Sequence, residues 1–292
     1  MPHKSGFVNI LGNPNVGKST LMNMLIGEKL SVMTPKAQTT RHRIMGILSG
    51  EDYQIVYSDT PGILNPKYKL QSAMMNSVES ALDDADLILY VTDVVESADK
   101  NEEFLKRILE SSVPKIIVIN KIDLSNQNDL EALVEKWKTL SPGTIIIPIS
   151  ATNKFNLQSL MNSILSLLPE GEPYFPKDQL TDRYERFFVS EMIRGKILET
   201  YQKEIPYSVE IEIESFQEES NLVRIAAVIY VARDTQKGII IGHRGEMLKR
   251  VGTGARKEIE AFLGKKVFLE MYVKVARDWR DSTGMLNKFG YI

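Results

Sequence analysis

The stretch GNPNVGKST (Gly12–Thr20) decides the fold of the first half of the chain. It matches G-x-x-x-x-G-K-S/T, follows the apolar run FVNIL (7–11) and opens a segment of helical spacing (18–27), which is the strand, loop and helix setting the pattern requires. The glycines let the backbone from Gly12 through Asn13, Pro14, Asn15, Val16 and Gly17 curl so that main-chain N–H groups face a phosphate chain. Lys18 then reaches the β- and γ-phosphates, the Ser19 hydroxyl offers a ligand to Mg²⁺, and Thr20 completes the motif. By average residue usage, roughly one chain of this length in a hundred carries the pattern by chance.

Working outward, the β-rich runs YQIVYS (53–58), LILYVTDV (87–94), KIIVIN (115–120) and TIIIPI (144–149) alternate with helical patterns over 69–83, 101–111, 127–140 and 156–167. Continuous apolar strands separated by helices predict an α/β P-loop NTPase domain with a mostly parallel, doubly wound sheet. IMGILS (44–49) is expected as an antiparallel edge strand. Short motifs sit at the ends of these strands. In SDTPG (58–62), Asp59 is placed to hold Mg²⁺, and the Gly62 N–H to sense the γ-phosphate. In NKID (120–123), the Asp123 carboxylate can accept from guanine N1–H and the 2-amino group, which adenine does not offer, while Asn120 and Lys121 brace the loop and cover the base. SAT (150–152) adds Ser150 and an Ala151 N–H directed at guanine O6.

In this order the four motifs resemble the translation-factor-type GTPases. The resemblance implies a threonine in PKAQTTRHR (35–43) that closes over the metal; Thr40 is favoured and Thr39 is the fallback. The expected metal ligands are Ser19, Thr40 and Asp59, and the catalytic set is Lys18, Thr40 and Gly62. Ile63 stands where Ras-like enzymes carry the glutamine that orients the attacking water, so unaided hydrolysis should be slow. Asn15 matches an asparagine with which some related GTPases hold K⁺ in place of an arginine finger.

Composition agrees with a two-domain globular chain: 292 residues, 43% hydrophobic and 25% charged, with no cysteine for disulfides or thiolate metal sites. No apolar run approaches the roughly 18 to 20 residues needed to span a bilayer. Residues 1–182 carry 17 Lys+Arg against 22 Asp+Glu, and residues 183–292 carry 19 against 16. The boundary is read from the proline-rich PEGEPYFPKDQLTD (169–182): a first domain over 1–170, a linker over 171–182 and a second domain over 183–292.

The second domain reads α-β-β-α-α-β, with VEIEIES (209–215) alternating apolar and acidic residues. Its centre is GIIIGHRGEMLKRVG (238–252). The region Lys237–Lys257 holds six cations against Glu246 alone. A bare G-x-x-G is weak, since about one such pair is expected by chance among 18 glycines. Placed between two helices, after two strands and before a third, it resembles the bacterial type II KH module, a small α+β fold. There the turn clamps the backbone of four single-stranded nucleotides beside an apolar groove. The resemblance makes Ile241, Gly242, His243, Arg244, Gly245, Lys249, Arg250, Arg256 and Lys257 the expected RNA contacts, with Ile239 to Ile241 as a floor beneath the bases.

A P-loop GTPase followed by such a module is similar to the Era family. KAQTTRHRI (36–44), EIPYSVEIEIE (204–214), IGHRGEMLKRVG (241–252) and LGKKVFLEMYVKV (263–275) also carry the likeness. It implies Mg²⁺-dependent GTP hydrolysis, binding near the 3′ end of 16S ribosomal RNA, a part in 30S subunit maturation, and a monomer in the cytoplasm with peripheral inner-membrane contact. A different reading makes the protein a GTP-regulated switch whose second domain docks a protein or membrane partner, because the acidic strand 209–215 would repel phosphates.

Overall fold

The computed structural model describes residues 2–96 and 101–292. Two compact units emerge: residues up to Pro66 together with Met74–Asp182, and Lys67–Ala73 together with Arg183–Ile292.

The first unit contains β1 (Lys4–Leu11), α1 (Lys18–Ile26), β2 (Ile44–Ser49), β3 (Tyr53–Asp59), α2 (Lys69–Asp83, its first turn grouped with the second unit), β4 (Leu87–Asp93), α3 (Glu102–Glu110), β5 (Lys115–Asn120), α4 (Gln127–Leu140), β6 (Ile145–Pro148) and α5 (Leu157–Leu167). The sheet order is β2-β3-β1-β4-β5-β6, with only the β2/β3 pair antiparallel. β4 is buried along its whole length, which is why it reads as an unbroken apolar run rather than an alternating one. On one side Trp137 of α4 lies against Tyr90 at 5.7 Å and shares a core with Ile108, Ile117 and Ile119. Each such large side chain contributes about 1.5–3 kcal/mol by leaving water. The parallel register aligns Ile10 with Asp59 and Asp93 with Asn120, so the loops after β1, β3, β4 and β5 leave from one edge of the sheet. That is where α/β sheets bind ligands.

The proline-rich segment expected as a linker is docked on the first unit. Leu180 O accepts from Ile47 N at 2.8 Å, the Thr181 hydroxyl donates to Met45 O at 2.7 Å, and Phe175 exchanges two hydrogen bonds with the Gln54 side chain. β2 is an edge strand with an unpaired row of main-chain groups, and this segment satisfies some of them.

The second unit comprises α6 (Glu185–Thr200), β7 (Glu210–Glu218), β8 (Leu222–Val231), α7 (Asp234–Ile241), α8 (Glu246–Leu263), β9 (Lys266–Val275) and α9 (Thr283–Lys288). Its sheet runs β7-β8-β9, antiparallel then parallel. The α-β-β-α-α-β order is the expected one, with α9 added. α6 and α8 cover one face through Phe188, Ile193, Val251, Ala255 and Ile259, all buried. The opposite face takes the C-terminal tail: Trp279 is fully buried and donates Nε1–H to Ser208 O at 2.9 Å, and Phe289 packs on both Trp279 and Tyr230.

That tail changes the meaning of the acidic strand. Glu210 is buried and accepts from the Tyr291 hydroxyl at 2.6 Å; Glu212 meets Lys288 and the Tyr230 hydroxyl, both at 2.7 Å; Glu214 meets Lys274 at 2.7 Å. Despite partial burial, which favours the neutral acid, the bonds from Lys288 and Tyr230 hold Glu212 below the usual carboxylate range. Each of the three carboxylates is thus bonded within the unit, Glu212 and Glu214 to lysines and Glu210 to a tyrosine hydroxyl.

Candidate nucleotide pocket and nucleic-acid groove

At the phosphate end, the loop between β1 and α1 wraps a cavity of about 390 Å³ lined by Gly17, Lys18, Ser19, Thr40, Gly62 and Lys121 among others. Gly17 has φ 95°, and a Cβ there would stand 2.3 Å from Asn120 Nδ2, so the position requires glycine for both backbone and space. The Lys18 ammonium is buried, donates to Gly12 O at 3.0 Å and Asn13 O at 2.8 Å, and is pushed down to about 8 by burial, against the pull of Asp59 and Glu96.

The three expected metal ligands converge. Asp59 Oδ2 accepts from Ser19 Oγ at 2.7 Å and from Thr40 Oγ1 at 3.0 Å, and the two hydroxyls are 2.9 Å apart. Thr39 is turned elsewhere: its hydroxyl donates to Lys36 O at 2.6 Å and lies 2.7 Å from that of Thr34. Burial pushes the Asp59 carboxyl up, opposed by the Ser19 hydroxyl and the Lys18 charge, and its buried Oδ1 has no hydrogen-bond partner among the described residues. An all-oxygen set with an unsatisfied carboxylate oxygen suits a hard divalent cation such as Mg²⁺, which takes few protein ligands and completes its shell with phosphate oxygens and water.

The base end is a hydrogen-bonded set of its own. Asn120 Nδ2 donates to Val16 O at 2.9 Å, tying the loop after β5 to the phosphate loop, and Ser150 Oγ donates to Asp123 Oδ1 at 2.6 Å. Lys121 reaches Asn15 O at 2.5 Å and Asp93 at 2.6 Å. The Ala151 N–H, read as facing guanine O6, donates to Asn120 Oδ1 at 3.1 Å, and the same oxygen accepts from Lys121 N–H at 2.8 Å. Ile63 also departs from a merely inert substitute. It is 3% exposed and belongs to the core with Leu11, Val78 and Tyr90.

Sequence reasoning missed Asp93, Glu96 and Asn101. Asp93 ends β4 as Asp59 ends β3, and that parallel was the available signal. Glu96 accepts from Asn13 and from the Thr92 hydroxyl, and Asn101 donates to Asn13; nothing local in the sequence marks either.

In the second unit, the turn between α7 and α8 has positive φ at Gly242 (72°), Arg244 (48°) and Gly245 (80°). A Cβ on Gly242 would stand 2.6 Å from Met247 Cγ, whereas one on Gly245 would meet nothing within 4 Å. The Tyr201 hydroxyl fixes the approach to the turn by donating to Ile240 O at 2.6 Å. Beside it runs a groove of about 360 Å³ lined by Gly245, Leu248, Lys249, Gly252, Arg256 and Met271, with Thr253 and Leu269. The isoleucines expected as the floor are divided between core and surface. Consecutive helical residues differ by about 100°, so Ile240 is core, Ile239 is 48% exposed, Ile241 is half-buried, and none lines the groove. The apolar floor comes from Leu248, Leu269 and Met271. Lys249 and Arg256 rim it, Arg256 being bonded also to Glu260 at 2.9 Å, while Arg250 and Lys257 do not line it. His243 and Arg244 are exposed on the turn.

A phosphate loop bonded to an Asn-Lys-x-Asp loop, in a chain that also carries a Gly-x-x-Gly turn over an apolar groove rimmed by cations, defines a P-loop GTPase carrying a KH domain. A family model described as "50S ribosome-binding GTPase" matches residues 7–121, and one described as "KH domain" matches 204–280. GTPase Era of Staphylococcus epidermidis is 44% identical over 292 residues, covering 99% of this chain and 98% of that protein, and GTPase Era of Staphylococcus haemolyticus matches equally. The chain belongs to the Era GTPase family. A crystal structure of Era in complex with MgGDPNP and nucleotides 1506–1542 of 16S ribosomal RNA superposes with TM-score 0.95 at 39% identity, over 99% of both chains. A structure of an Aquifex aeolicus Era variant bound to GDP·AlF4⁻ gives the same values.

Proposed function

We propose that this GTPase binds the 3′ end of 16S ribosomal RNA through its KH domain and uses GTP hydrolysis in 30S subunit maturation. The observation that carries the RNA reading is the positive-φ turn Gly242–Gly245 standing over a groove with an apolar floor and a cationic rim. The turn lets a phosphodiester backbone approach closely, and the groove receives bases. The relative crystallised with a 16S fragment supports the same ligand. The alternative of a protein partner drew on a free acidic strand, and every one of Glu210, Glu212 and Glu214 has a partner inside the unit. Crosslinking in cells followed by sequencing tests the proposal: reads should concentrate at the 3′ end of 16S RNA, and reads scattered over unrelated RNAs would overturn it.

In the nucleotide pocket, the loop Gly12–Gly17 presents N–H groups to the phosphates and Lys18 places its charge between the β- and γ-phosphates. Ser19, Thr40 and Asp59 hold Mg²⁺, which when bound offsets charge on the phosphate oxygens. The Gly62 N–H contacts the γ-phosphate, and Asp123 reads the guanine edge, with Asn120, Lys121 and Ser150 fixing its loop. The Ile63 side chain, sealed in the core, polarises no water. We assign part of the missing charge to K⁺ held with the help of Asn15, which lines the cavity. Replacing K⁺ by Na⁺ should lower kcat about tenfold, well short of the 10³–10⁵ of an arginine finger, and Asn15→Ala should remove the difference. Equal rates in the two salts would leave Asn15 as a loop residue only.

A further inference from the structure

The first unit contains a set of hydrogen bonds that the motifs do not account for. Asn101, immediately before α3, donates its side-chain amide to Ile63 O at 2.9 Å and to Asn13 Oδ1 at 2.7 Å. Asn13, 3% exposed, in turn donates to Glu96, whose other oxygen accepts from the Thr92 hydroxyl at 3.1 Å. The main chain of Glu96 donates to Asp93 Oδ1 at 2.7 Å, and Asp93 pairs with Lys121 of the base-binding loop. Asn101 therefore joins the turn after Asp59 to the phosphate loop, and the phosphate loop to the end of β4.

The join falls at a point where position matters. Ile63 N–H donates to Gly12 O at 3.2 Å, so with Asn101 on its carbonyl both polar groups of the Ile63 backbone are held. Directly before it, Gly62 is packed so closely on Pro14 that a Cβ would stand 2.7 Å from Pro14 Cα. With its apolar side chain buried, residue 63 can influence the reaction only through its backbone, and the setting of that backbone depends on Gly12, Pro14 and Asn101. Asn101 itself has φ 57°, which asparagine tolerates better than most residues.

We propose that Asn101 is a positioning residue for GTP hydrolysis: by bonding Ile63 O and Asn13 Oδ1 together, it fixes the Gly62 N–H against the γ-phosphate as the transition state forms. The proposal rests on the reading of Gly62 as the γ-phosphate contact. Both amide hydrogens of Asn101 are committed, so its function is that of a double donor. Aspartate has the same shape and tolerance of positive φ but no donor. Rotating the Asn13 amide to serve it would turn Asn13 Oδ1 toward the Glu96 carboxylate.

The test uses the full chain with Asn101→Gly, which keeps the positive φ without strain and removes the amide, and Asn101→Asp, which keeps the shape and removes the donors. Single-turnover hydrolysis, GDP affinity and the melting temperature are measured for each, with Gly62→Ala in parallel. A displaced contact of this kind costs on the order of tenfold or more in rate. The expectation is a fall of about tenfold in the hydrolysis rate for both Asn101 variants, GDP affinity within about threefold of the parent, and little change in melting. An unchanged rate in Asn101→Gly overturns the proposal, and so does an equal loss of rate and GDP affinity, which would make Asn101 a general support of the phosphate loop. If Gly62→Ala also hydrolyses normally, the reading of Gly62 has failed. If Gly62→Ala is slow and Asn101→Gly is not, only the role of Asn101 has failed.

Discussion

Asp123→Asn should convert the protein from a guanine to a xanthine nucleotide enzyme. Guanine presents two donors, N1–H and the 2-amino group, and a carboxylate accepts both. Asparagine keeps one acceptor and introduces a donor, so the 2-amino group faces an N–H, whereas xanthine offers an oxygen there. Sites built on hydrogen bonds reject a mismatched ligand strongly because buried polar groups are left unpaired. The expected result is a loss of about ten thousandfold in GTP affinity, taking the lower end of such discrimination, with XTP supporting turnover near the parental GTP rate. The Ser150 hydroxyl, which donates to Asp123 Oδ1, can donate equally to the asparagine oxygen, so the loop should keep its shape. Competition binding with GTP, XTP and ATP checks it; unaltered preference for GTP would remove Asp123 from the base site.

Gly245→Asp, alone and with Gly242→Asp, should abolish RNA binding while leaving GTP hydrolysis within about twofold. The two positions differ physically. At Gly242 any side chain collides with Met247, so that substitution distorts the turn as well as adding charge. Gly245 opens on free space, so its variant adds a carboxylate without collision, and the backbone strain of φ 80° is smaller for aspartate than for most side chains. Comparing them separates repulsion from misfolding. We expect at least about a hundredfold loss of affinity for a 16S 3′-end fragment in the single variant, since a fixed anion then faces the backbone phosphates. Parental affinity should fall steeply with rising salt, as counterion release requires. RNA binding unaffected by Gly245→Asp would place the RNA elsewhere, and a lowered melting temperature alongside the loss would show that the turn itself had collapsed.

Much of the nucleotide pocket was legible because its chemistry is local. Gly12 to Thr20 must be contiguous to form a loop of N–H groups, and Asn120 to Asp123 must follow a strand to meet the same edge. Choosing between Thr39 and Thr40 was different, since it depended on which hydroxyl reached Asp59, a residue nineteen positions or more away in sequence. The hydrogen bonds of Asn101 and Glu96 to Asn13 were beyond reach for the same reason. Asparagine and glutamate before a helix are ordinary surface residues until the sheet register brings them to the phosphate loop.

In the KH domain the sequence determined the order of elements, the Gly-x-x-Gly turn and the concentration of cations, because periodicity and glycine requirements are properties of neighbouring residues. It could not say which of three consecutive isoleucines faces inward. Helix rotation places Ile240 alone in the core, and the groove floor falls instead to Leu248 of α8 and to Leu269 and Met271 of β9, strand residues more than twenty positions further along. Nor could alternation reveal that the acidic face of β7 is covered by Lys288 and Tyr291 of the tail. Local pattern determined which chemistry this chain carries, a guanine nucleotide loop and a nucleic-acid turn. Tertiary structure decided which side chains reach it, because long-range contacts are set by packing and register rather than by spacing along the chain.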